Sequence, residues 1–367
     1  MEVEASLPGP VCSHTEWDPL EEVIVGSLDG ASVPPWHVVE RARGLTGVAG
    51  VALRALAGRR YPWILRRNAQ RELDGLVRLL ESEGVRVRRP DPMDFTRRAE
   101  TPFWSSTGFC AASPRDLLMV VGDQLIEAAS PWRARYFEGY VYRSLLKEYF
   151  RGGARWTAAP KPQLSDALYD ADYSPPRPGE APRHVINEWE PVFETADFAR
   201  CGRDLFVTLG NATNRAGVAW LRRHLGPGYA IHEVPSRCAT PMHIDTSFIP
   251  LRPGVAMVNT AFVDPDALPK ALRGWEIHPG PPPDPIPGLH GSYLSLVSEY
   301  IHLNVLSLDA RRVVVERSQV TLQSALRRWG FEPIPCDFMH YRVFGGGFHC
   351  ATVDVRRRGP LERYCEG

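Results

Sequence analysis

Apolar residues recur along this chain at two alternating spacings. Leu73, Leu76, Val77 and Leu80 fall three and four apart, the spacing of one helix face, and Gly84 follows as a stop. Directly after it, VRVRRP alternates as a strand does. Four further segments repeat this order of helix, glycine stop and short strand: GYVYRSLLKEYFRGGARWTAAP from Gly139, RAGVAWLRRHLGPGYAIHEV from Arg215, PDALPKALRGWEIHPG from Pro265 and VTLQSALRRWGFEPIPC from Val320. Between them, β-branched runs predict strands at EEVIVG, DLLMVVG, DLFVTLG, GVAMVNT, HLNVLSL, RRVVVE and CATVDV.

Two strands per helix exceed the one-to-one alternation of a doubly wound parallel sheet. Five strand-rich units with one helix each predict radial repetition. Small ββαβ-type sheets would stand around a central channel with helices outside, as an α/β propeller of five pseudo-repeated blades. An irregular α+β domain whose helix stops merely look alike stays open on this pattern alone. The Pro-rich stretches SPPRPGEAPRH and HPGPPPDPIPG read as connecting loops, because the repeat continues unchanged across both. The expectation is one domain over residues 1–367, with 1–15 as a flexible N-terminal extension.

Composition sharpens this. A chain of 367 residues, 44% hydrophobic and 23% charged, can bury a large core, and its 43 basic and 43 acidic residues leave no net field to collect nucleic acid or an acidic membrane. The seven cysteines are odd in number and lack CxxC spacing, which argues against a disulfide framework and against a zinc site and fits a reducing cytoplasm. No apolar run approaches the roughly 18 residues of a spanning helix. The start, MEVEASLPGPVCSH, has neither the basic residues nor the apolar stretch of an export signal.

Chemistry is expected where polar groups abut apolar strands. In FGGGFHCATVDVRRRG, three glycines precede His349 and Cys350 at the head of a strand, and glycine permits close approach of backbone to a ligand. PMHIDTSFIPL sets His243 and Asp245 two apart, on one face of an extended strand. PRDLLMV puts Asp116 at a strand head, and EPVFETADF supplies Glu194 and Asp197. Singly, each reads equally well as a buried thiol, a core histidine or a turn cap. Together they are one sulfur, one base and several carboxylates with no basic partner in the same motifs, which suits a cationic substrate.

These motifs carry a resemblance. GGGFHCATVDVRRRG, PMHID, EPVFETADF, CGRDLF, APKPQLSDALYDADY, GDQLIEAASPWRARYFE, RRPDPMDF and EWDPLEEVIVG, collinear from Glu16 to Gly359, resemble the amidinotransferase family. The resemblance implies a single five-unit α/β propeller with Cys350 as nucleophile, His243 as acid and base, and Glu194 as the carboxylate partner of His243. Asp116 and Asp245 would hold the guanidinium. Substrate-binding positions carried over are Ser298, Met242, Thr240, Phe262 and Val297. No metal or organic cofactor is implied. The partners are a small-molecule guanidine donor and an amine acceptor, without nucleic acid or membrane, and a homodimer is left open.

A guanidinium is a poor electrophile whose pKa exceeds about 12, so it reacts as a cation held by carboxylates against a thiolate. His243 as imidazolium would lower the thiol from about 8.5, protonate the departing amine and then deprotonate the incoming one, a ping-pong cycle through an amidino-cysteine. Four positions depart from the family pattern. Glu194 replaces aspartate. Phe262 stands where arginine-using members carry an arginine for the donor's α-carboxylate, and Val297 takes the first place of a serine pair. Thr240 replaces an asparagine in the acceptor loop. The donor is therefore arginine or an arginine-like guanidine, in specialised metabolism. The competing readings are a hydrolase of the same fold, in which water intercepts the amidino-cysteine, and a catalytically idle binding propeller.

Overall fold

The computed structural model describes residues 9–42, 51, 54–177, 180–285 and 298–365. Among the described residues, five three-stranded sheets share one arrangement: an antiparallel pair, a crossover, and a third strand parallel to the second. Phe198–Cys201 and Asp204–Val207 pair antiparallel, helix Arg215–Leu225 follows, and Ala230–Glu233 returns parallel to Asp204–Val207. Sheets Leu118–Val121/Gln124–Glu127/Arg155–Ala158, Phe248–Arg252/Val255–Val258/Glu276–Pro279 and Leu306–Ser307/Arg312–Glu316/Glu332–Cys336 repeat it. In the remaining sheet the chain's two ends meet. Thr352–Arg357 pairs antiparallel with Leu20–Val25, which pairs parallel with Arg86–Arg88.

Helix Trp63–Ser82 buries Ala69, Leu73, Leu76 and Leu80, the predicted stripe with Val77 at its margin, and Gly84 leaves it at φ +82°. Asn214 caps the helix at Arg215 by accepting from the Gly217 N–H. Among the described residues no helix is long and apolar enough to cross a membrane.

Four expectations need correction. The helix predicted from Pro265 is two short 3-10 turns, Pro265–Ala267 and Lys270–Leu272, because Pro269 lacks the N–H and the space a continuous helix requires. HLNVLSL is strand only at Leu306–Ser307, since Ile301–Leu303 is a 3-10 turn. His243 and Asp245 do not lie on an extended strand: His243 has φ +58°, and Ile244–Thr246 is again a 3-10 turn. Nor are residues 9–15 a loose extension, because Val11 is fully buried and Cys12, Ser13 and Thr15 bridge to Arg356, Gly122 and Cys201.

A one-turn segment precedes the first strand of four sheets: Pro114–Asp116, Thr195–Asp197, Ile244–Thr246 and Ile301–Leu303. These turns touch one another in that order. Asn304, just after the last, accepts from the N–H groups of His349 and Cys350 in the turn before Thr352–Arg357, and Arg115 donates back to the carbonyls of His349 and Thr352. The succession of turns thereby returns on itself, one turn per sheet. Further along the same strands lies a buried ion cluster: Arg200 donates to both oxygens of Glu16 at 2.8 Å and to Asp354 at 2.5 Å, while Arg115 and Arg357 reach Asp354 at 2.8 and 2.9 Å.

Candidate active site

The five turns border a cavity of about 450 Å³. Lining it are Cys350, His243, Glu194, Asp116, Asp245, Ser298, Met242, Thr240 and Phe262. Nine of the ten expected positions are thus brought together, and Val297 lies outside the described residues. One donor atom each of Asp116, His243 and Cys350 lies within 4.8 Å of the others, so oxygen, nitrogen and sulfur face one small group.

Cys350 ends a turn that only glycine can build. A Cβ on Gly346 would stand 2.6 Å from Cys350 Cβ, and one on Gly347 would stand 2.7 Å from Asn304 Oδ1. The glycines therefore serve close approach to Cys350 and Asn304 themselves. Asn304 also donates to Cys350 Sγ at 3.3 Å, and Asp245 Oδ2 lies 3.5 Å from the sulfur. Burial, reinforced by the charge of Asp245, pushes the thiol up to about 12, outweighing the downward pull of His243. The lowered thiol expected from His243 alone is not found.

His243 is held from two sides. Its Nε2 lies 2.7 Å from Glu194 Oε2 and its Nδ1 3.8 Å from Asp116 Oδ1. Its backbone, at a φ that non-glycine residues rarely adopt, donates to Asp197 Oδ1 at 2.9 Å, and Thr213 donates to the other oxygen of Asp197 at 2.5 Å. Burial opposes charge on the ring, yet Asp116, Cys350 and Glu194 raise His243 well above the usual histidine value, which favours the imidazolium. Glu194 is fully buried; Arg135, His243 and Ser130, which donates at 2.6 Å, hold it below the usual carboxylate range against the effect of burial. Burial raises Asp116, whereas contacts with His349 hold Asp245 down.

Asp116 and Glu194 do have a basic partner, in a different motif. Arg135 contacts Asp116 Oδ2, lies 3.4 Å from Glu194, and donates to Glu138 at 2.8 and 2.9 Å. It lies in SPWRARYFE, and no local pattern distinguishes it from Arg133, which binds the Leu164 carbonyl instead. Asn304, hidden in a run that reads as strand, and Ser130 were equally invisible, whereas Asp197 stood out in EPVFETADF. After these pairings Asp116 Oδ1 and Asp245 Oδ1 remain buried without a hydrogen-bond partner. A buried carboxylate oxygen left unpaired is costly, and a cation carrying N–H groups on a planar edge would satisfy both.

Phe262 is half-buried against Tyr300, ring centroids 5.1 Å apart. Among the described residues lining the cavity, Arg135 is the one guanidinium, and three carboxylates already hold it.

No protein-family model matches the chain. It is 47% identical over 355 residues to L-arginine:L-lysine amidinotransferase of Pseudomonas savastanoi pv. phaseolicola, covering 97% of this chain and 96% of the relative. Mitochondrial glycine amidinotransferase of Danio rerio is 44% identical over 368 residues, 97% of this chain and 85% of the relative. Among solved structures, SxtG, an amidinotransferase from Microseira wollei in the saxitoxin biosynthetic pathway, superposes with a TM-score of 0.92 at 48% identity over 97% of this chain and 99% of its own. Inosamine-phosphate amidinotransferase StrB1 of Streptomyces griseus gives 0.87 at 36% identity over 96% and 99%. Dimethylarginine dimethylaminohydrolase, at 14% identity and a TM-score of 0.54, shares the fold alone.

Proposed function

This chain belongs to the amidinotransferase family, and we propose that it moves an amidino group from a guanidine donor to a primary amine through a covalent intermediate on Cys350. The observation that carries this is the pair of buried, unpartnered oxygens, Asp116 Oδ1 and Asp245 Oδ1, on the same cavity as the Cys350 sulfur. A guanidinium placed on both presents its central carbon to sulfur.

Binding of that cation also supplies what the resting thiol lacks. Its charge offsets Asp245, and the thiol proton leaves to solvent. The sulfur then attacks the amidino carbon; the S–C bond forms, the bond to the donor's nitrogen breaks, and His243 gives its proton to that nitrogen. The neutral His243 takes a proton from the incoming ammonium. A new C–N bond forms, the S–C bond breaks, and the acceptor nitrogen's second proton returns to sulfur. Glu194 fixes the tautomer and orientation of His243 throughout, with one methylene more than the aspartate of the family pattern.

The substrate ends follow from the walls. Phe262 offers no charge-assisted bond to an α-carboxylate, and Arg135, on the same cavity, is fully engaged, so a guanidine without that carboxylate is the better donor. Met242 and Thr240 belong to the loop that shapes the acceptor site in the family, and Ser298 lines the same cavity. Specialised metabolite biosynthesis is the setting, by analogy with SxtG of the saxitoxin biosynthetic pathway. The succession of turns supports reading the five sheets as blades of one propeller domain, 1–367. The seven cysteines, all free, fit a cytoplasmic protein.

Intact-mass measurement after incubation with arginine and with agmatine tests the intermediate. The amidino adduct must form on wild-type protein and be absent from Cys350→Ala. An adduct that persists in the variant refutes the assignment. Product analysis with and without added amine separates transfer from hydrolysis.

A further inference from the structure

His349, beside Cys350, has no part in that scheme, though it is buried and both of its ring nitrogens face carboxylates. Nδ1 lies 2.8 Å from Asp245 Oδ2 and Nε2 lies 3.2 Å from Glu16 Oε2. An ionised carboxylate only accepts, and a neutral imidazole carries a single N–H. With a neutral ring, one of these contacts would set lone pair against lone pair. Both are satisfied only when both nitrogens donate.

We propose that His349 is a positioning residue for the transfer: an imidazolium, strapped between Glu16 and Asp245, that keeps Asp245 Oδ2 against the Cys350 thiol and Asp245 Oδ1 free for the guanidinium. This rests on the reading of Cys350 given above. The strap is anchored at its far end, because Arg200 holds both oxygens of Glu16 and Arg115 stands 3.6 Å from it. The near end is fixed by the His349 backbone N–H, which donates to Asn304 Oδ1 at 2.9 Å. The groups facing the ring are therefore Asp245, Glu16, the Arg115 guanidinium and, beyond Asp245, the thiol. Burial and Arg115 oppose its charge, yet the two carboxylates bring His349 above the usual histidine value. Without that charge Asp245 would act on the sulfur uncompensated and would be free to turn.

The test uses the full chain labelled with ¹⁵N-histidine, His349→Gln identifying the resonance. Both ring nitrogens of His349 must stay protonated as pH rises past about 6.5, where an ordinary histidine loses its proton; a ring that is a neutral tautomer by that pH overturns the proposal. Alkylation by iodoacetamide, followed on the Cys350 peptide, must shift to higher pH in His349→Gln, slowing about tenfold at matched pH for a displacement of one unit. Adduct formation from agmatine must slow by at least as much. A histidine that only fills space would lower Tm and leave both rates unchanged, and that result overturns the proposal alone. Wild-type protein that is alkylated at Cys350 but never forms the adduct sinks the function and this role together. If glutamine is not accommodated, Glu16→Gln keeps the ring and removes one acceptor, and it must lower the pH at which His349 loses its proton; an unchanged pH overturns the strap.

Discussion

Two groups of buried charges meet at Asp245, and they are built on opposite principles. In the inner cluster of Glu16, Arg115, Arg200, Asp354 and Arg357, no buried side-chain nitrogen or oxygen lacks a partner, and the guanidinium groups hold Asp354 far below the usual aspartate range. At the cavity, Asp116 and Asp245 each keep one buried oxygen without a hydrogen-bond partner. The inner cluster sets three guanidiniums against two carboxylates, whereas among the described residues lining the cavity Arg135 is the one guanidinium beside Asp116, Glu194 and Asp245, so at similar burial the difference lies in completeness. A satisfied ion cluster specifies structure, and an unsatisfied one is poised for a ligand. The two histidines repeat the contrast: His349 has both nitrogens committed, while His243 commits one to Glu194 and turns the other toward the cavity.

The sharpest break separates chemistry from fold. Cys350→Ala should reduce turnover by roughly 10⁴-fold or more, as loss of a covalent nucleophile does, while Tm changes little. A residual rate within tenfold of wild type would remove sulfur from the mechanism. Asp354→Asn should do the reverse. Removing one member of a buried ion cluster costs about 3–5 kcal/mol, which for a chain of this length lowers Tm by roughly 4–6 °C; adduct formation by the folded fraction should persist. If Asp354→Asn abolished the adduct in fully folded protein, the division between the two groups would fail.

Much of this division was legible in the sequence and some of it was not. The five units and the helix stripe of Leu73, Leu76 and Leu80 follow from periodicity, a local property. Cys350, His243, Asp116 and Asp245 were found because each sits beside an apolar strand and within a motif. Their geometry was not legible, because His243 and Asp245 belong to a one-turn segment rather than to the extended strand that their spacing suggests. Arg135 and Asn304 were missed for a common reason. Each acts on a neighbour far along the chain, Arg135 on Glu194 and Asn304 on Cys350, and no local pattern marks such a partner. Pro269 shows the opposite failure, in which the apolar spacing predicted a helix that one residue forbids.

Smaller effects test the cavity from within. Asp116→Asn removes the charge behind one unpaired oxygen and should lower kcat/KM for the guanidine roughly 10- to 150-fold, the equivalent of a charge-assisted bond of about 1.5–3 kcal/mol. Its Tm should be equal to or above that of wild type, because burial disfavours the charge it deletes. A marked loss of Tm would place Asp116 with the structural group. Phe262→Arg should restore a grip on the α-carboxylate and lower the KM for arginine about tenfold relative to agmatine. An unchanged ratio would mean that another group already binds that carboxylate.

The smallest effect concerns the protons on the two histidines. His243 and His349 are both raised, so above about pH 6.5 the folded chain binds protons that the unfolded chain has released. Their stabilisation is complete below that pH and is lost as pH rises through their folded values, by about 1.4 kcal/mol per pH unit for each proton held. Asp197 and Glu138, both raised to about 7 chiefly by burial, add to the decline only near its start. The histidines His14, His37, His184, His224, His278 and His302 are lowered, and they act below the window. On the acid side the sign reverses, since Glu16, Glu194, Asp245 and Asp354 are depressed and their stabilisation is lost as pH falls below about 4. Above about pH 6.5, Tm should therefore fall with rising pH, and His349→Gln should flatten the slope by up to roughly 2 °C per pH unit. A slope identical in wild type and variant would mean that the ring between Glu16 and Asp245 is neutral in the folded chain.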